Sequence, residues 1–416
     1  SKTVDMGGNR IDQLGGAAQS VVVAITTLME EIERLKVLPQ FTDLEIPSGR
    51  DMTVLLQGFG AVGTHVARLL TEGIAPQDRP GIVGVSDISG YIHDANGLPV
   101  QDLLDMQAEL GVVARPYFQQ AFNGNRASST KYSTHSDDLL RESGFCLVPA
   151  APIANYLDVD VASGCSMPVD RMGDWKMIVE GAKTYSPDPA RKAARSRMER
   201  AVYWQKGVLI ATDYLVKSGG VIYAAQERLL RSPEHLQIPQ EMLGNREAVD
   251  RWLADHRDEF AALAEQRRIA GEKQVKEVIR RNMQELVDLL VGDPDMLPCE
   301  AAEKIAISRI ASSESDRTAA DLMEAIPTIP QTRTVREAAA ALLADKSDLL
   351  AVIAEDGELC GVMTDWDITR ATATDCGVDV PVFEIMSREV ICAAPDDSIL
   401  DVLRKLEHFE ISAMPV

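Results

Sequence analysis

The sequence predicts an α/β protein in which a doubly wound parallel sheet is followed by a helical segment and then by a smaller α+β module. Three observations predict this order. Residues 53–87 run from a short apolar stretch through a glycine turn and a helical spacing to a second apolar stretch, the order of a βαβ unit. Residues 221–312 carry charged segments with apolar positions at helical spacing and no strand pattern. Residues 322–416 contain an internal repeat.

The individual elements follow from apolar spacing and from the residues that interrupt it. Val21, Ile25 and Leu28 lie at steps of three and four, so residues 17–36 are predicted to form an amphipathic helix that ends before Pro39. Short apolar runs bounded by turn residues are predicted to be strands; they are 53–57, 82–86, 145–149, 177–181 and 208–213. A helix over 189–205 is rich in Arg, and we expect its basic face to pair with another domain.

These patterns divide the chain into four parts. The predicted parts are an N-terminal helical segment (1–49), the α/β domain (50–220), the helical segment (221–312) and the repeat-containing module (320–416). A small polar stretch at 311–319 is predicted to be the linker between the last two.

The repeat units begin at Leu322 and Ile385. The first unit passes through 355–357 (Glu-Asp-Gly), which predicts a tight hairpin turn. The second unit stops before the equivalent hairpin. Because the sequence opens close to a helix and stops at Val416 in a predicted strand, we expect it to be a fragment of a longer protein.

Composition and charge exclude several classes of function. Lys and Arg number 42 against 64 Asp and Glu in 416 residues, a formal charge of −22, so we expect no nucleic-acid partner and no anionic membrane partner. No apolar run reaches the roughly 20 residues that span a bilayer. The polar start lacks a signal-peptide pattern, which predicts a cytoplasmic protein. The six cysteines include no CxxC pair and no Cys/His cluster occurs, so we expect reduced thiols and no metal site.

The strongest local motif is a glycine turn between the first strand and its helix. Its members are Gly58, Phe59, Gly60, Ala61, Val62 and Gly63. Gly58 permits the tight turn, Gly60 lets a pyrophosphate approach the backbone, and Gly63 lets the helix pack on the sheet. The helix that starts near Ala61 offers unpaired N–H groups to phosphates. We predict that residues 58–63 bind a dinucleotide; a glycine turn made for packing alone is the alternative.

An acid ends the second predicted strand. Asp87 stands where a carboxylate can accept both hydroxyls of the adenosine ribose and would repel a 2′-phosphate. The sequence therefore predicts NAD as the cofactor in preference to NADP. Asp213 also follows a strand, and there a site residue and a turn or cap residue are equally good interpretations.

Several segments then carry a family resemblance. QGFGAVGTHVARLL and VGVSDISGYIHDANGLPV resemble the nucleotide-binding domain of glutamate dehydrogenases and of their leucine, phenylalanine and valine relatives. CLVPAAPIANYL resembles the family strand that ends near the nicotinamide, which implies Ala150 and Ala151 as cofactor contacts. IVEGAKTYSPDPA, VLIATDYLVKSGGVIYAAQE and MGGNRIDQLGGAAQSVVVAI resemble further family segments, in the family's order, over residues 1–312. The resemblance implies a Rossmann-like fold and an NAD-dependent oxidoreductase.

The chain also departs from the family pattern. Lys183 and Lys217 stand where family members usually carry Asn, and Ala17, Gln19 and Ala224 stand near positions of family Thr, Arg and Ser. By resemblance those polar groups hold the nicotinamide, its ribose or the amino acid. The lysines would place positive charge beside an oxidised, cationic ring. Local drift on a working enzyme, a rebuilt pocket and loss of hydride transfer all remain open.

No catalytic residue is assigned to this chain. Amino-acid oxidation needs a lysine and a carboxylate to handle protons, and the family places them in an N-terminal substrate domain with a glycine-rich lysine motif. That motif is absent from the 416 residues. We therefore expect the chain alone to lack the catalytic substrate domain.

The C-terminal repeat resembles a pair of cystathionine-β-synthase-type (CBS) modules over residues 320–416, with the second copy incomplete. GVMTDWDI (361–368) resembles the family's Gly-x-x-Thr-x-x-Asp stretch. Carried over, Thr364 would contact a phosphate and Asp367 an adenosine ribose, with AMP or ATP as ligand. A purely structural or dimerising module, with Thr364 capping its helix, is the alternative.

Three functional hypotheses follow. In the first, the chain is the nucleotide-binding part of an NAD-dependent amino-acid dehydrogenase, with glutamate and its 2-oxo acid as the expected substrates and the CBS pair as an adenylate-binding regulator. In the second, it is a non-catalytic sensor of NAD and adenylates derived from that family. A scaffold with neither site occupied is the third possibility. By resemblance, a homo-oligomer is expected.

Overall fold

The computed structural model describes residues 6–10, 14–75, 77–123, 129–186, 188–314, 317–345, 347, 349–373, 377–409, 411 and 413–416. The chain forms two compact units, Ser1–Ile305 and Ala306–Val416.

The N-terminal unit is built on a seven-stranded sheet. Its strands are β1 (Thr53–Gln57), β2 (Gly81–Asp87), β3 (Gly90–His93), β4 (Lys131–Ser133), β5 (Cys146–Pro149), β8 (Met177–Val179) and β9 (Leu209–Ala211); β6 (Leu157–Asp158) and β7 (Met167–Pro168) form a separate pair. The order across the sheet is β4-β3-β2-β1-β5-β8-β9. All neighbours from β2 to β9 pair in parallel, and β3 pairs antiparallel with both β2 and β4. The predicted doubly wound α/β fold is confirmed.

Helices lie on both faces of this sheet, and others lie farther from it. The helices between residues 16 and 314 are α1 (Gly16–Leu35), α2 (Ala61–Thr71), α3 (Val100–Leu110), α4 (Ala114–Asn123), α5 (Pro189–Glu199), α6 (Asp213–Val216), α7 (Gly219–Leu229), α8 (Arg246–Asp255), α9 (Arg257–Gly292) and α10 (Pro298–Glu314). A π-helical segment, Arg200–Gln205, continues α5. Short 3-10 segments occur at Pro39–Phe41, Gly49–Asp51, Ser136–Arg141, Val161–Ser163, Glu234–Leu236 and Gln240–Met242.

Successive residues of each central strand fill different cores. Val54 and Leu56 belong to the large cluster that also contains buried residues of α1 and α9, whereas Leu55 belongs to a second cluster with Leu147 and Ile178. Side chains alternate between the two faces of a strand, and here both faces are buried. This explains why the strands read as continuous apolar runs in the sequence.

The C-terminal unit has a three-stranded sheet in the order β10-β11-β12. Its elements are β10 (Thr328–Pro330), α11 (Val335–Asp345), β11 (Leu349–Ile353), β12 (Leu359–Thr364), α12 (Asp365–Ala373) and α13 (Ile399–His408), with 3-10 segments at Ala319–Asp321 and Val382–Glu384. The predicted hairpin joins the antiparallel strands β11 and β12, and Gly357 takes a φ of +88° in its turn. The α+β character predicted for this module is confirmed.

The internal repeat is visible in the way two helices begin. Thr334 and Glu337 form a reciprocal capping box at the start of α11, since the Thr334 N–H and hydroxyl donate to Glu337 and the Glu337 N–H donates back. Ser398 and Asp401 share a similar exchange at the start of α13, in the second repeat unit. The predicted linker at 311–319 needs correction, because 311–314 belong to helix α10.

Candidate functional site

The glycine turn between β1 and α2 requires its glycines for different reasons. Gly58 has a φ of +102°, and a Cβ on it would lie 2.9 Å from the Ala151 nitrogen. A Cβ on Gly63 would lie 2.1 Å from the Gly58 carbonyl oxygen. A Cβ on Gly60 would have no atom within 4 Å. The first and last glycines are therefore needed for packing, whereas Gly60 faces open space that a ligand could use.

The backbone of this turn leaves the start of α2 open. Gly60 is the N-cap of α2 and supplies no side-chain cap, so the first N–H groups of the helix, starting at Ala61, point outward without one. Ala61 is exposed and Val62 is half-buried. An uncapped helix start of this kind favours an anionic ligand such as a phosphate.

Phe59 plays a different part from the one its place in the motif suggests. Its side chain is buried in the main core, and its N–H donates to the Ser86 carbonyl at 2.6 Å. The Gly58 N–H donates to the Ser86 hydroxyl at 3.1 Å. Phe59 thus anchors the turn to β2, and the N–H groups of residues 58 and 59 are both engaged by the protein.

The carboxyl ends of β1, β5 and β8 are tied together beside the turn. The Ala150 N–H donates to the Gln57 carbonyl at 2.8 Å, and the Gly181 and Ala182 N–H groups both donate to the Pro149 carbonyl at 2.9 Å. Ala150 and Ala151, implied as cofactor contacts, therefore lie at the point where the strand order reverses between β2-β1 and β5. Open α/β sheets bind their ligands at this point.

Asp87 ends β2 as predicted, but its carboxylate is already engaged. Oδ1 accepts hydrogen bonds from the Ser89 N–H and hydroxyl at 2.7 and 2.6 Å. Oδ2 accepts from the Val113 and Ala114 N–H groups at 2.5 and 3.0 Å, at the start of α4. A ribose at this position would compete with four internal donors. Its ribose-binding role stays a prediction.

A buried charge network lies at the end of β8. Arg195 donates to Glu180 from Nη1 and to Glu199 from Nε, both at 2.6 Å, and the two carboxylates are fully buried. Tyr156 and Thr184 donate to the two oxygens of Glu180 at 2.6 and 2.7 Å. Burial by itself lowers the pKa of the Arg195 guanidinium, but the two carboxylates outweigh it and hold the pKa above its ordinary value.

This network corrects part of the prediction for the 189–205 helix. Its basic face was expected to pair with another domain, but Arg195 pairs with Glu180 and Glu199 of the same α/β domain. The Lys192 ammonium lies 2.9 Å from Glu303, which belongs to the predicted 221–312 segment. The one feature of the sequence that could have indicated an ion pair within this helix is the i,i+4 spacing of Arg195 and Glu199.

Asp213 is a buried acid that holds backbone. Its Oδ2 accepts from the Thr184 and Tyr185 N–H groups at 2.9 and 3.3 Å, and its Oδ1 accepts from the Tyr214 N–H at 2.7 Å. Burial and the nearby Glu180 raise its pKa, although the N–H donors act in the opposite direction. Of the two interpretations, the structure favours a turn residue that fixes the segments after β8 and β9.

The departures from the family pattern lie after β8 and α6 and on helices α1 and α7. Lys183 is exposed after β8, and Lys217 is half-buried after α6. Ala17 and Ala224 are half-buried on α1 and α7. Gln19 accepts a hydrogen bond from the Tyr223 hydroxyl at 2.7 Å, and this bond links helix α1 to helix α7.

In the C-terminal unit, Thr364 and Asp367 contact each other. The Thr364 N–H and hydroxyl each donate to Asp367 Oδ2 at 2.9 Å, and Arg370 donates to Oδ1 at 2.9 Å. Asp367 is buried. The pair thus caps α12, as the structural alternative expects, and its adenosine-binding role stays a prediction.

Among the residues that the structure describes, no group of three or more His, Cys, Asp or Glu side chains is placed to hold a metal ion. Among the helices described there, none has the length and apolar character needed to cross a membrane.

Comparison with known proteins divides the chain as the fold does. The model of the Glutamate/Leucine/Phenylalanine/Valine dehydrogenase family matches residues 37–291, and the CBS domain model matches 319–374 and 382–416. Glutamate dehydrogenase A2 of Halobacterium salinarum is 32% identical over 220 residues, which are 53% of this chain and 44% of that protein. L-aspartate semialdehyde sulfurtransferase of Methanosarcina acetivorans is 35% identical over 91 residues, 22% of this chain and 18% of that protein.

A solved CBS domain pair, in complex with 5′-methylthioadenosine and S-adenosyl-L-methionine, is 31% identical and covers 24% of this chain and 79% of its own, with a TM-score of 0.23. The chain spans less than half the length of these curated relatives. The family model nevertheless covers more than half of the 416 residues. The chain belongs to the Glu/Leu/Phe/Val dehydrogenase family and carries a C-terminal pair of CBS domains.

Proposed function

We propose that the chain is the nucleotide-binding part of an NAD-dependent amino-acid dehydrogenase, with glutamate as the substrate. The observation that carries this proposal is the cradle at Gly60, where a side chain would have open space and the start of α2 has no side-chain cap. A pyrophosphate needs both features, a close backbone approach and outward N–H groups. The residues at this turn therefore fit the phosphates of a dinucleotide.

In this proposal the chain binds and orients the cofactor. The turn at 58–63 holds the pyrophosphate, Asp87 meets the adenosine ribose after exchanging some of its internal donors, and Ala150 and Ala151 lie along the second half of the nucleotide. The nicotinamide supplies the hydride acceptor. Similarity to glutamate dehydrogenase A2 supports glutamate as the substrate, and the proposed activity belongs to a protein with a substrate domain in addition to this chain.

The CBS pair is proposed to bind AMP or ATP and to regulate the dehydrogenase. Thr364 and Asp367 would contact the ligand, in exchange for part of the capping box that they form with each other. Assembly as a homo-oligomer and a cytoplasmic location complete the proposal.

Gly60 offers a clean test because a methyl group there meets nothing in the protein. The variant Gly60→Ala should lower NAD affinity at least about tenfold, since its Cβ occupies the space of the phosphate. Calorimetric titration with NAD, NADP and AMP measures this. Gly292→Ala is the matched control, because a Cβ on Gly292 also has no atom within 4 Å and lies at the end of α9.

Unchanged NAD affinity in Gly60→Ala, or no NAD binding by the natural chain, would rule out the glycine turn as the cofactor site. Both alanine variants should unfold within about 1 kcal/mol of the natural chain, so lost binding cannot be mistaken for lost folding.

A second candidate function is a non-catalytic sensor of NAD and adenylates. The two lysines after β8 and α6 favour it, because positive charge there opposes an oxidised nicotinamide ring. NAD binding without amino-acid oxidation by the complete protein would support the sensor, and turnover of glutamate would exclude it.

A further inference from the structure

A cavity of about 1140 Å³ lies at the amino ends of two central strands. Thr53, the first residue of β1, and Gly81, the first residue of β2, both line it. The glycine turn follows the opposite end of β1, about 13 Å away along the strand at roughly 3.3 Å per residue. Dinucleotides bind sheets of this class at the carboxyl ends of the strands, so the cavity lies outside the proposed cofactor site.

Three arginines from different segments line this cavity. Arg50 comes before β1, Arg68 lies in the last turn of α2, and Arg79 comes before β2. Arg79 is half-buried, and its Nε donates to the Ile74 carbonyl, which holds the guanidinium in place. In the described part of the chain, its other two nitrogens have no acceptor and no carboxylate lies within 4 Å of it. A guanidinium held in this way is prepared to bind an anion.

The acids that line the cavity neutralise the arginines only in part. Arg68 Nε lies 3.7 Å from Glu72 Oε2, and the two side chains are 45% and 70% exposed. An exposed pair at this distance contributes little, so a better anion can replace Glu72. Asp51 is the other acid of the lining, and three guanidinium groups therefore face two carboxylates. In a chain of charge −22, this excess of positive charge is a local exception.

The start of helix α3 brings backbone donors to the same cavity. Val100 and Gln101 line it, and the N-cap residue Pro99 has no side chain that caps the helix. The first N–H groups of a helix have no partner within it and favour an anion. Asp102, in the same turn, offsets part of the helix dipole. The floor beside this helix start is apolar, because the buried residues Ile82 and Leu98 line it.

We propose that this cavity binds a sugar phosphate. The phosphate accepts hydrogen bonds from Arg79, Arg68 and the start of α3, since guanidinium and helix N–H groups both suit its oxygens. The sugar hydroxyls donate to Asp51 and Glu72, and the carbon face of the ring covers the apolar floor. This combination of a few charged groups with an apolar wall is typical of small-molecule sites. A free sugar phosphate and the ribose phosphate of a nucleotide share this chemistry.

Chemical modification of arginines in the full chain tests the site directly. Phenylglyoxal modifies accessible guanidinium groups, and mass spectrometry of the digested protein gives the rate at each arginine. We expect ribose 5-phosphate to slow the modification of Arg79 and Arg68 at least about fivefold, because a bound phosphate covers both groups. Arg246, 94% exposed on α8, is the internal control and should react at an unchanged rate. Ribose, or potassium chloride at the same ionic strength, should protect none of the three.

The concentration of ribose 5-phosphate that gives half-maximal protection measures the affinity of this site alone. Arg79→Gln, followed at Arg68, and Arg68→Gln, followed at Arg79, should each weaken binding about tenfold, the effect of one lost charged hydrogen bond. Arg68 is exposed, so its variant keeps the fold. Arg79→Lys keeps the charge and should restore part of the affinity. Arg246→Gln is the matched control, and Gly60→Ala separates this site from the glycine turn; neither should change the affinity.

Three results would overturn the site: no protection by ribose 5-phosphate, equal protection of Arg246, or unchanged affinity in both glutamine variants. Inorganic phosphate that protects at the same concentration as ribose 5-phosphate would overturn the sugar part of the proposal. Protection of Arg79 by AMP at a lower concentration than by ribose 5-phosphate supports the site and identifies a nucleotide as the source of the sugar phosphate. Weaker protection by AMP supports a free sugar phosphate.

Discussion

Removing the cation from the buried Glu180–Arg195–Glu199 network should strongly destabilise the N-terminal unit. Arg195→Met keeps an apolar side chain of similar length but leaves two carboxylates with 0% exposure and no cation. Breaking a buried ion pair by removing one partner costs about 3–5 kcal/mol, because a charge stays buried without compensation. Tyr156 and Thr184 still donate to Glu180, so we expect the lower end, about 3 kcal/mol of unfolding free energy.

Urea unfolding followed by tryptophan fluorescence measures this loss. Trp366→Phe serves as the background, because Trp366 is the one tryptophan of the C-terminal unit and the signal then reports on the N-terminal unit. Lys192→Met is the matched control on the same helix. Its ion pair with Glu303 is 42% and 36% exposed on the two sides, so its loss should cost far less than the loss of Arg195.

Arg195→Lys separates charge from geometry. A lysine restores one positive charge but cannot bond two carboxylates in the planar arrangement of a guanidinium, so we expect an intermediate loss of about 1–2 kcal/mol. The reasoning is refuted if Arg195→Met costs no more than Lys192→Met, or if Arg195→Lys is as unstable as Arg195→Met.

The remaining predictions concern one residue in each unit. Arg267 is fully buried on α9 and donates to the Leu230 carbonyl at 3.0 Å and to the Gly7 carbonyl at 2.5 Å, so Arg267→Met should cost about 2–3 kcal/mol in urea unfolding; a loss below 1 kcal/mol would contradict the role of these bonds. Thr364→Val removes the cap of α12 and should cost the C-terminal unit about 1 kcal/mol, measured by Trp366 fluorescence, whereas Thr369→Val within the same helix should have little effect.

The fold was largely predictable because its signals are local. The glycine turn needs a positive φ at Gly58 and no side chain at Gly63. Glycine is the residue type that meets both requirements, so the sequence alone indicates them. Strands buried on both faces leave continuous apolar runs, which a sequence displays directly. The prediction of a linker at 311–319 was partly wrong for the opposite reason. The Ala and Ser residues at 311–313 are compatible with both a helix and a loop, and the structure makes them helical.

The electrostatics of the site were much less predictable. Whether the Asp87 carboxylate is available depends on the N–H groups of Val113 and Ala114, which come from a segment 26 residues away. Arg195 was expected to pair with another domain, because it lies on a predicted helix rich in Arg. Its burial depends on Glu180, which directly follows β8, a pairing that only the tertiary structure brings about.

The alternation of the central strands between two cores has a consequence for sequence divergence. A change of volume at Leu55 alters the space available to Leu147 on the neighbouring strand, but leaves that around Leu56 almost untouched, because Leu56 packs on the other side of the sheet. Compensating substitutions among homologues should therefore couple positions across strands on one face and skip the adjacent residue. The two cores should diverge at independent rates, so that either can be repacked while the carboxyl edge that holds the glycine turn keeps its geometry.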